Sequence, residues 1–531
     1  MFEILEKDLM GRIGVLETRK GKIETPALAP VVNPAKNVVP PSEIAGVGFP
    51  LLMTNAYIIL KNYGELGAEL GVHRLLGVDV PVMTDSGGYQ LMIYGRVDTT
   101  PEEILRYQEE IGADIGVILD VPTTLGISRE EALARVEETL RRAERALATR
   151  QRRDMHLVGP VQGNPFPDLV EYAAERMASL DFEVYAIGAS AQLMEQYEFP
   201  ALVDTIVAAK RHLPPGRPVH LFGGGHPLII PLAVALGVDL FDSASYALYA
   251  RDLRYMTESG TVRFERLREL PCSCPVCSKH DLSDLREMPR EELERLVALH
   301  NLYVLKEEID RVKQAIHEGS LWELLEQRAQ AHPKMMDALA KLGDLVELLE
   351  RYHPIARQPV FGLFFKSTTS LWRPEVYRHS KRIAERYEPP EADVLLMLPE
   401  TDEKPYTRFG PVSRLLSAAR ERGERIHLVV YSPVFGVVPV ELSELFPLSQ
   451  YSLSEYLRRD PERRALRGVV EYLARHRGRY GRAIVVVDRE LVDLDVGALE
   501  GEVEARDLEV RVVEAPLSSA DLEEILRAAS T

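Results

Sequence analysis

PVMTD at 81–85, GVILD at 116–120 and VDLFDS at 238–243 share one pattern: a short apolar run that ends on an aspartate. Five more runs of the same length surround them: PALAPVV (26–32), PLLMTN (50–55), HLVGPVQG (156–163), VYAIG (184–188) and VHLFG (219–223). Each is too short for a helix and apolar throughout, as in a strand buried on both faces. Amphipathic stretches separate most of them, for example EEALARVEETLRRAERALATR within 128–152. Strands alternating with helices predict a parallel sheet. Eight such units within about 250 residues predict a (β/α)8 barrel of the TIM type. No GxGxxG turn follows the first strand, as an open dinucleotide-binding sheet would require.

A barrel carries its chemistry at the C-terminal ends of its strands. Here those ends bear Asn55, Asp85, Asp120, Gln162, Gly188 and Asp242. Any one aspartate is equally explained as a helix N-cap or turn residue. The set predicts a polar mouth. Asp85 and Asp242 supply two carboxylates, enough for retaining glycosyl transfer, in which one attacks the anomeric carbon and the other moves protons. Asp85 lies within Thr84-Asp85-Ser86-Gly87-Gly88-Tyr89-Gln90, where two glycines permit close backbone approach and Tyr89 could stack on a planar ring. Asp120 can accept N–H groups of a guanine-like edge, and the Gln162 amide can donate to its carbonyl. A turn aspartate and a buried core amide are the plainer readings of those two.

Outside the barrel, 246–355 reads as helical and charged. The chain's three cysteines, Cys272, Cys274 and Cys277, fall in this stretch within six residues of one another. A disulfide framework is excluded. With one histidine they form a closed tetrahedral set suited to a structural Zn2+. His300, in the helical run EELERLVALHNLYVL, is preferred over His280 as the fourth ligand. Residues 356–531 read as separate α/β material, with strands expected at 392–399, 425–434, 482–488 and 508–515 and a linker at RYEPPEAD (386–393). The expected division is a barrel with a zinc region (about 265–305) over 1–355, then a C-terminal α/β part over 356–531.

The net charge of −18 argues against bulk binding of nucleic acid or membrane, yet local basic patches remain compatible with phosphate contact. Two candidates are RRAERALATRQRR (141–153) and KSTTSLWRPEVYRHSKRIAERY (366–387), each equally readable as a solvated helix face. No run of about 18 apolar residues suggests a membrane span, and the charged N-terminus does not read as a signal peptide, so a cytoplasmic protein is expected. Arginine outnumbers lysine heavily and asparagine occurs six times, a weak sign of thermophily that base composition explains as well.

TDSGGYQ (84–90), LDVPT (119–123), VQG (161–163), FDS (241–243) and the CxCxxC cluster with a distant histidine resemble the tRNA-guanine transglycosylases. AIG (186–188), LMEQYEF (193–199) and the added C-terminal region resemble the archaeal, archaeosine-forming branch. The resemblance covers roughly residues 1–350. It implies a base-exchange glycosyltransferase that replaces guanine at position 15 of the tRNA D-loop with 7-cyano-7-deazaguanine (preQ0). Asp242 would be the nucleophile on C1′ and Asp85 the general acid/base, although the symmetry of the pair permits the reverse. Asp120, Gln162, Gly188, Tyr89 and Ser86 would bind the base, and Cys272, Cys274, Cys277 and His300 would hold one structural Zn2+. No nucleotide cofactor is implied. A homodimer is expected.

Archaeal members typically carry a terminal PUA domain, which is not evident before the last residues, LEEILRAAST (522–531). Either that domain lies on a separate PUA-domain partner or the enzyme does without it, and weaker tRNA binding than in full-length relatives is expected. The alternatives are an archaeosine synthase-like enzyme, a non-catalytic tRNA-binding paralogue, or an unrelated barrel glycosidase. The paired aspartates weigh against the first two, and the zinc set and basic runs against the third.

Overall fold

The structure is a computed structural model of the 531-residue chain, and it describes residues 1–88, 98–188, 190–356, 362–421, 425–506 and 508–514. Two compact units divide it, Met1–Lys341 and Leu342–Thr531.

The first unit opens with an antiparallel sheet of β1 (Phe2–Asp8), β2 (Gly11–Glu17) and β3 (Lys22–Thr25). Eight parallel strands follow: β4 (Ala27–Pro30), β5 (Leu52–Asn55), β6 (Val82–Asp85), β7 (Ile115–Val117), β8 (His156–Val161), β9 (Val184–Ile187), β10 (Val219–Leu221) and β11 (Leu240–Ser243). All eight overlap the runs read from the sequence, although β7 stops at Val117, three residues before Asp120. Their order is β4-β11-β10-β9-β8-β7-β6-β5. A parallel bridge between Val31 and Met53 joins the two ends and closes the barrel. Its interior is filled by Ala27, Ala29, Met53, Met83, Ile115, Val117, Val158, Val184, Ala186 and Leu240, so it is a packed core and no pore.

Leu16 of β2 and Ile23 of β3 belong to the same cluster, so the antiparallel sheet plugs the bottom of the barrel with apolar side chains. The buried Arg12 guanidinium fastens it there, donating to both carboxylate oxygens of Asp239 at 2.7 Å, just ahead of β11. Asp239 also accepts the Val219 N–H at 2.7 Å. The polar strand termini lie at the opposite end.

After the barrel, β12 (Arg254–Thr257) and β13 (Gly260–Arg263) form a hairpin, and the helix Arg290–Glu318 packs beside it. The hairpin interrupts the stretch expected to be wholly helical. Its strands are only four residues long and partly exposed, which leaves little apolar signal.

The second unit contains a five-stranded sheet, ordered β17-β16-β15-β19-β20, and a separate parallel pair, β14 (Leu363–Phe365) with β18 (Tyr451–Leu453). β15 (Val394–Pro399), β16 (Ile426–Ser432), β19 (Arg482–Val487) and β20 (Val510–Glu514) are parallel and were legible as apolar runs, while β17 (Gly436–Pro439) is an antiparallel edge strand. Helices Pro374–Glu385, Gly410–Glu421 and Arg464–Arg475 lie among them. No helix of the described residues is long and apolar enough to cross a membrane.

Candidate active site and metal centre

Asp242 projects from β11 at the mouth. Its Oδ1 accepts two hydrogen bonds, from the Gly223 N–H at 2.7 Å and from His220 Nε2 at 2.8 Å. His220 lies in β10 and is fully buried, and its Nδ1 has no partner. The ring proton therefore sits on Nε2, facing the carboxylate. Asp242 Oδ2 accepts no bond from any described residue and is left free. Sequence reading missed His220. Its signal was a lone histidine inside an otherwise apolar strand, which demands a buried partner.

Asp85 ends β6. Its Oδ2 accepts Asn55 Nδ2 at 2.6 Å and the Gly87 N–H at 3.3 Å. The Asn55 amide oxygen meanwhile caps the next helix, accepting the Ile58 N–H at 2.9 Å, so the amide that faces Asp85 is pinned at its other end. Burial, with the nearby Asp120 carboxylate and then Asp242 adding to it, pushes the Asp85 pKa up to about 7. A carboxyl with that value exchanges protons near neutrality.

Asp120 and Gln162 form a second pair deeper in the mouth. Gln162 Nε2 donates to Asp120 Oδ2 at 2.6 Å. The Gln162 amide oxygen accepts both the N–H (3.1 Å) and the hydroxyl (3.2 Å) of Thr123, which fixes the orientation of the amide. Burial raises the Asp120 pKa to about 6, opposed by the Gln162 bond. Two glycines make room here. A Cβ on Gly88 would stand 2.2 Å from Asp120 Oδ1, and one on Gly188 would stand 2.5 Å from the Gln162 amide nitrogen. The Gly188 carbonyl accepts Asn164 Nδ2 at 3.0 Å, and Thr205 donates to Asn164 Oδ1 at 2.7 Å. Ser86 Oγ is buried in the same region with no hydrogen-bond partner. Tyr89 lies outside the described residues.

The arginines of 141–153 are largely spent on the fold. Arg142 bonds Glu138 and the Leu119 and Asp120 carbonyls, Arg150 is buried against Glu183, and Arg152 pairs with Asp154. In 366–387, Arg373 and Arg378 are buried beside Glu375 and Glu350. Arg141, Arg145 and Arg153 of the first run and Lys366, Arg382 and Arg386 of the second are exposed.

Beyond the barrel, the ligand atoms of Cys272, Cys274, Cys277 and His300 all lie within 4.8 Å of one another. His280 is not part of the group. His300 Nε2 donates to the Met256 carbonyl at 2.9 Å, which turns Nδ1 toward Cys274 and Cys277, each 3.5 Å away. The backbone N–H groups of Cys274 and Cys277 point at the sulfurs of Cys272 (3.4 Å) and Cys274 (3.5 Å). Tyr255 stacks on the imidazole, with ring centroids 3.7 Å apart. The donor set and its second layer of hydrogen bonds fit a tetrahedral ion, so the cluster can hold a metal.

A family profile described as queuine tRNA-ribosyltransferase matches residues 8–334. The chain belongs to the queuine tRNA-ribosyltransferase family. Its relatives extend well past the ribosyltransferase barrel. A tRNA-guanine(15) transglycosylase of Pyrobaculum aerophilum is 45% identical over 452 residues, covering 85% of this chain and 89% of the relative. Those of Methanocaldococcus jannaschii (42% identical; 86% of this chain, 68% of the relative) and Pyrococcus furiosus (47%; 78% and 69%) are similarly close. A second profile, a domain of unknown function, matches residues 376–528. Ribosyl transfer is the chemistry that the family name states. A pair of carboxylates at the barrel mouth, one free on an oxygen and one titrating near neutrality, is the equipment such chemistry needs.

Proposed function

We propose that this chain exchanges guanine at position 15 of the tRNA D-loop for 7-cyano-7-deazaguanine through a covalent enzyme–ribose intermediate. The observation that carries the reading is the asymmetry of Asp242. His220 and Gly223 hold Oδ1, while Oδ2 is free to attack C1′. The names of the archaeal relatives supply the tRNA position.

In the first half-reaction, Asp242 Oδ2 forms a bond to C1′ as the glycosidic bond to guanine N9 breaks. Asp85, protonated near neutral pH, gives its proton to the leaving base. The two donors on Asp242 Oδ1 fix the attacking carboxylate without blocking it. In the second half, Asp85 takes the N9 proton of the incoming base, N9 attacks C1′, and Asp242 departs as a carboxylate. Two inversions retain the anomeric configuration. Asp120 accepts N–H groups of the base edge, and the Gln162 amide, fixed by Thr123, donates to its carbonyl. Ser86 Oγ is an unused polar group for the same ligand. Gly188, and Tyr89 from the sequence resemblance, complete the base site. The target base must leave its stack to reach this mouth.

The Cys272, Cys274, Cys277 and His300 cluster would hold one Zn2+, which when bound supplies a structural crosslink. Four protein ligands leave no open position for substrate.

Rapid denaturation of enzyme mixed with unmodified tRNA in the absence of free base tests the intermediate. Wild type is expected to give a protein–RNA adduct that survives denaturation, and Asp242→Asn none. An adduct of equal yield in the variant would assign the attack elsewhere.

A further inference from the structure

Within the second unit, a cleft of about 220 Å3 lies between helix Pro374–Glu385, helix Arg464–Arg475 and the start of β17. Arg464, Arg467 and Arg475 line it, spaced to share one face of their helix. Glu471 is the one carboxylate in the lining. None of the three arginines makes a contact ion pair among the described residues. Arg464 donates instead to the Val434 carbonyl (3.0 Å) and to Ser380 Oγ (3.3 Å), and Arg475 to the Ile383 carbonyl (3.2 Å). The nearby Asp460 carboxylate is engaged by the backbone N–H groups of Arg464, Ala465 and Leu466. Burial and then the adjacent Arg467 charge lower the Arg464 pKa, opposed by the Asp460, Glu462 and Glu471 carboxylates.

This concentration of cation is unusual here. The chain as a whole carries a net charge of −18, and several arginines of its other basic runs are tied up in ion pairs. Arg467 and Arg475 are exposed at the rim, and the partly buried Arg464 has no carboxylate in contact, an arrangement that an anion would complete. The cleft is also built to be narrow. Gly468 meets Gly436 backbone to backbone, where a Cβ would stand 2.6 Å from the facing carbonyl carbon. Its volume is below the range of roughly 300–1,000 Å3 for small-molecule pockets. The aromatic residues in its wall, Phe435 and Tyr472, are buried and offer no face on which a free nucleotide base could stack.

We propose that this cleft receives a phosphate of the tRNA backbone, with Arg467 and Arg475 closing on it from the rim and Arg464 from within. The inference rests on the reading of tRNA as substrate. It adds a site in the domain of unknown function that supplies affinity without reading sequence.

The test titrates the full chain with unmodified tRNA across a salt series, comparing wild type, R467A/R475A and R467K/R475K. The alanine pair is expected to bind roughly tenfold more weakly at low salt. Its log Kobs against log[salt] slope should be shallower by about 0.7–0.9, the loss of one phosphate contact. The lysine pair should keep most of the slope, which separates lost charge from lost fold, and base exchange at saturating tRNA should proceed at the wild-type rate in both. Unchanged affinity and slope in the alanine pair would overturn the proposal. So would stabilisation of wild type, and not of the alanine pair, by inorganic phosphate together with equal tRNA affinity, which would make this a free-phosphate site. Absence of base exchange by wild type on any tRNA would instead sink the proposed function, and the salt slopes would still decide the cleft.

Discussion

His220 shows where residue-level reading stops. The two aspartates were legible because they end apolar runs and fall in family motifs, but the group that orients one of them is hidden inside a strand. In the proposed mechanism it holds Asp242 Oδ1, at 2.8 Å, so that Oδ2 faces substrate. His220→Ala is expected to lower kcat roughly 100-fold, in line with lost orientation of a catalytic group, with a much smaller change in KM for tRNA. His220→Gln, which can still donate to the carboxylate, should recover part of the rate. Equal losses in both variants would reduce His220 to a core residue.

The pH behaviour of Asp85 follows from its value of about 7, against roughly 3.9 for a free aspartate. Guanine release needs the protonated form and should fall above pH 7, whereas uptake of the new base needs the carboxylate and should fall below it. Exchange should therefore peak near neutrality. The same displacement sets a stability slope. Between about pH 4 and 7 the folded protein binds more protons than the unfolded chain, so stability declines as pH rises. Asp85→Asn is expected to lose less stability between pH 5 and 8 than wild type, by on the order of 2 kcal/mol, in denaturant titrations at the two pH values. Identical slopes would mean that Asp85 titrates as an ordinary surface carboxylate.

At the scale of elements, the eight barrel strands were readable because each is buried on both faces and so is apolar without interruption. β1 and β3 were not, since alternation over four to seven residues with an exposed face resembles any polar segment, and β12–β13 are only four residues each and partly exposed. The cysteine cluster was readable from spacing. That His300 completes it required the helix Arg290–Glu318 to fold back beside the cysteine loop, a tertiary fact. Metal removal tests this element. Cys277→Ser is expected to lose bound zinc by elemental analysis and to lower Tm, leaving the barrel's circular dichroism largely intact. A stable, fully active, metal-free variant would deny the cluster a structural role. The glycine turns make a narrower prediction. Gly188→Ala forces its Cβ against the Gln162 amide and should raise KM for the incoming base about tenfold or more, with little effect on tRNA affinity.

Across the whole molecule, the chain combines a plugged barrel with an extension whose cysteine and histidine cluster can hold a metal, and a second α/β unit. Composition alone pointed away from nucleic acid, because charge is counted over the whole chain whereas phosphate contact depends on a few unpaired arginines. The basic runs that drew attention in the sequence are divided between internal struts and exposed side chains, and the cleft guanidiniums of the second unit come from a helix that no run marked out. The central claim concerns base exchange, and one measurement reaches it directly. Labelled 7-cyano-7-deazaguanine is supplied with an unmodified tRNA transcript, and the product is mapped by nuclease digestion for wild type and Asp242→Asn. Label at position 15 with wild type, lowered at least about 1,000-fold in the variant, is the predicted result. Label at another position, or equal incorporation by the variant, would contradict it.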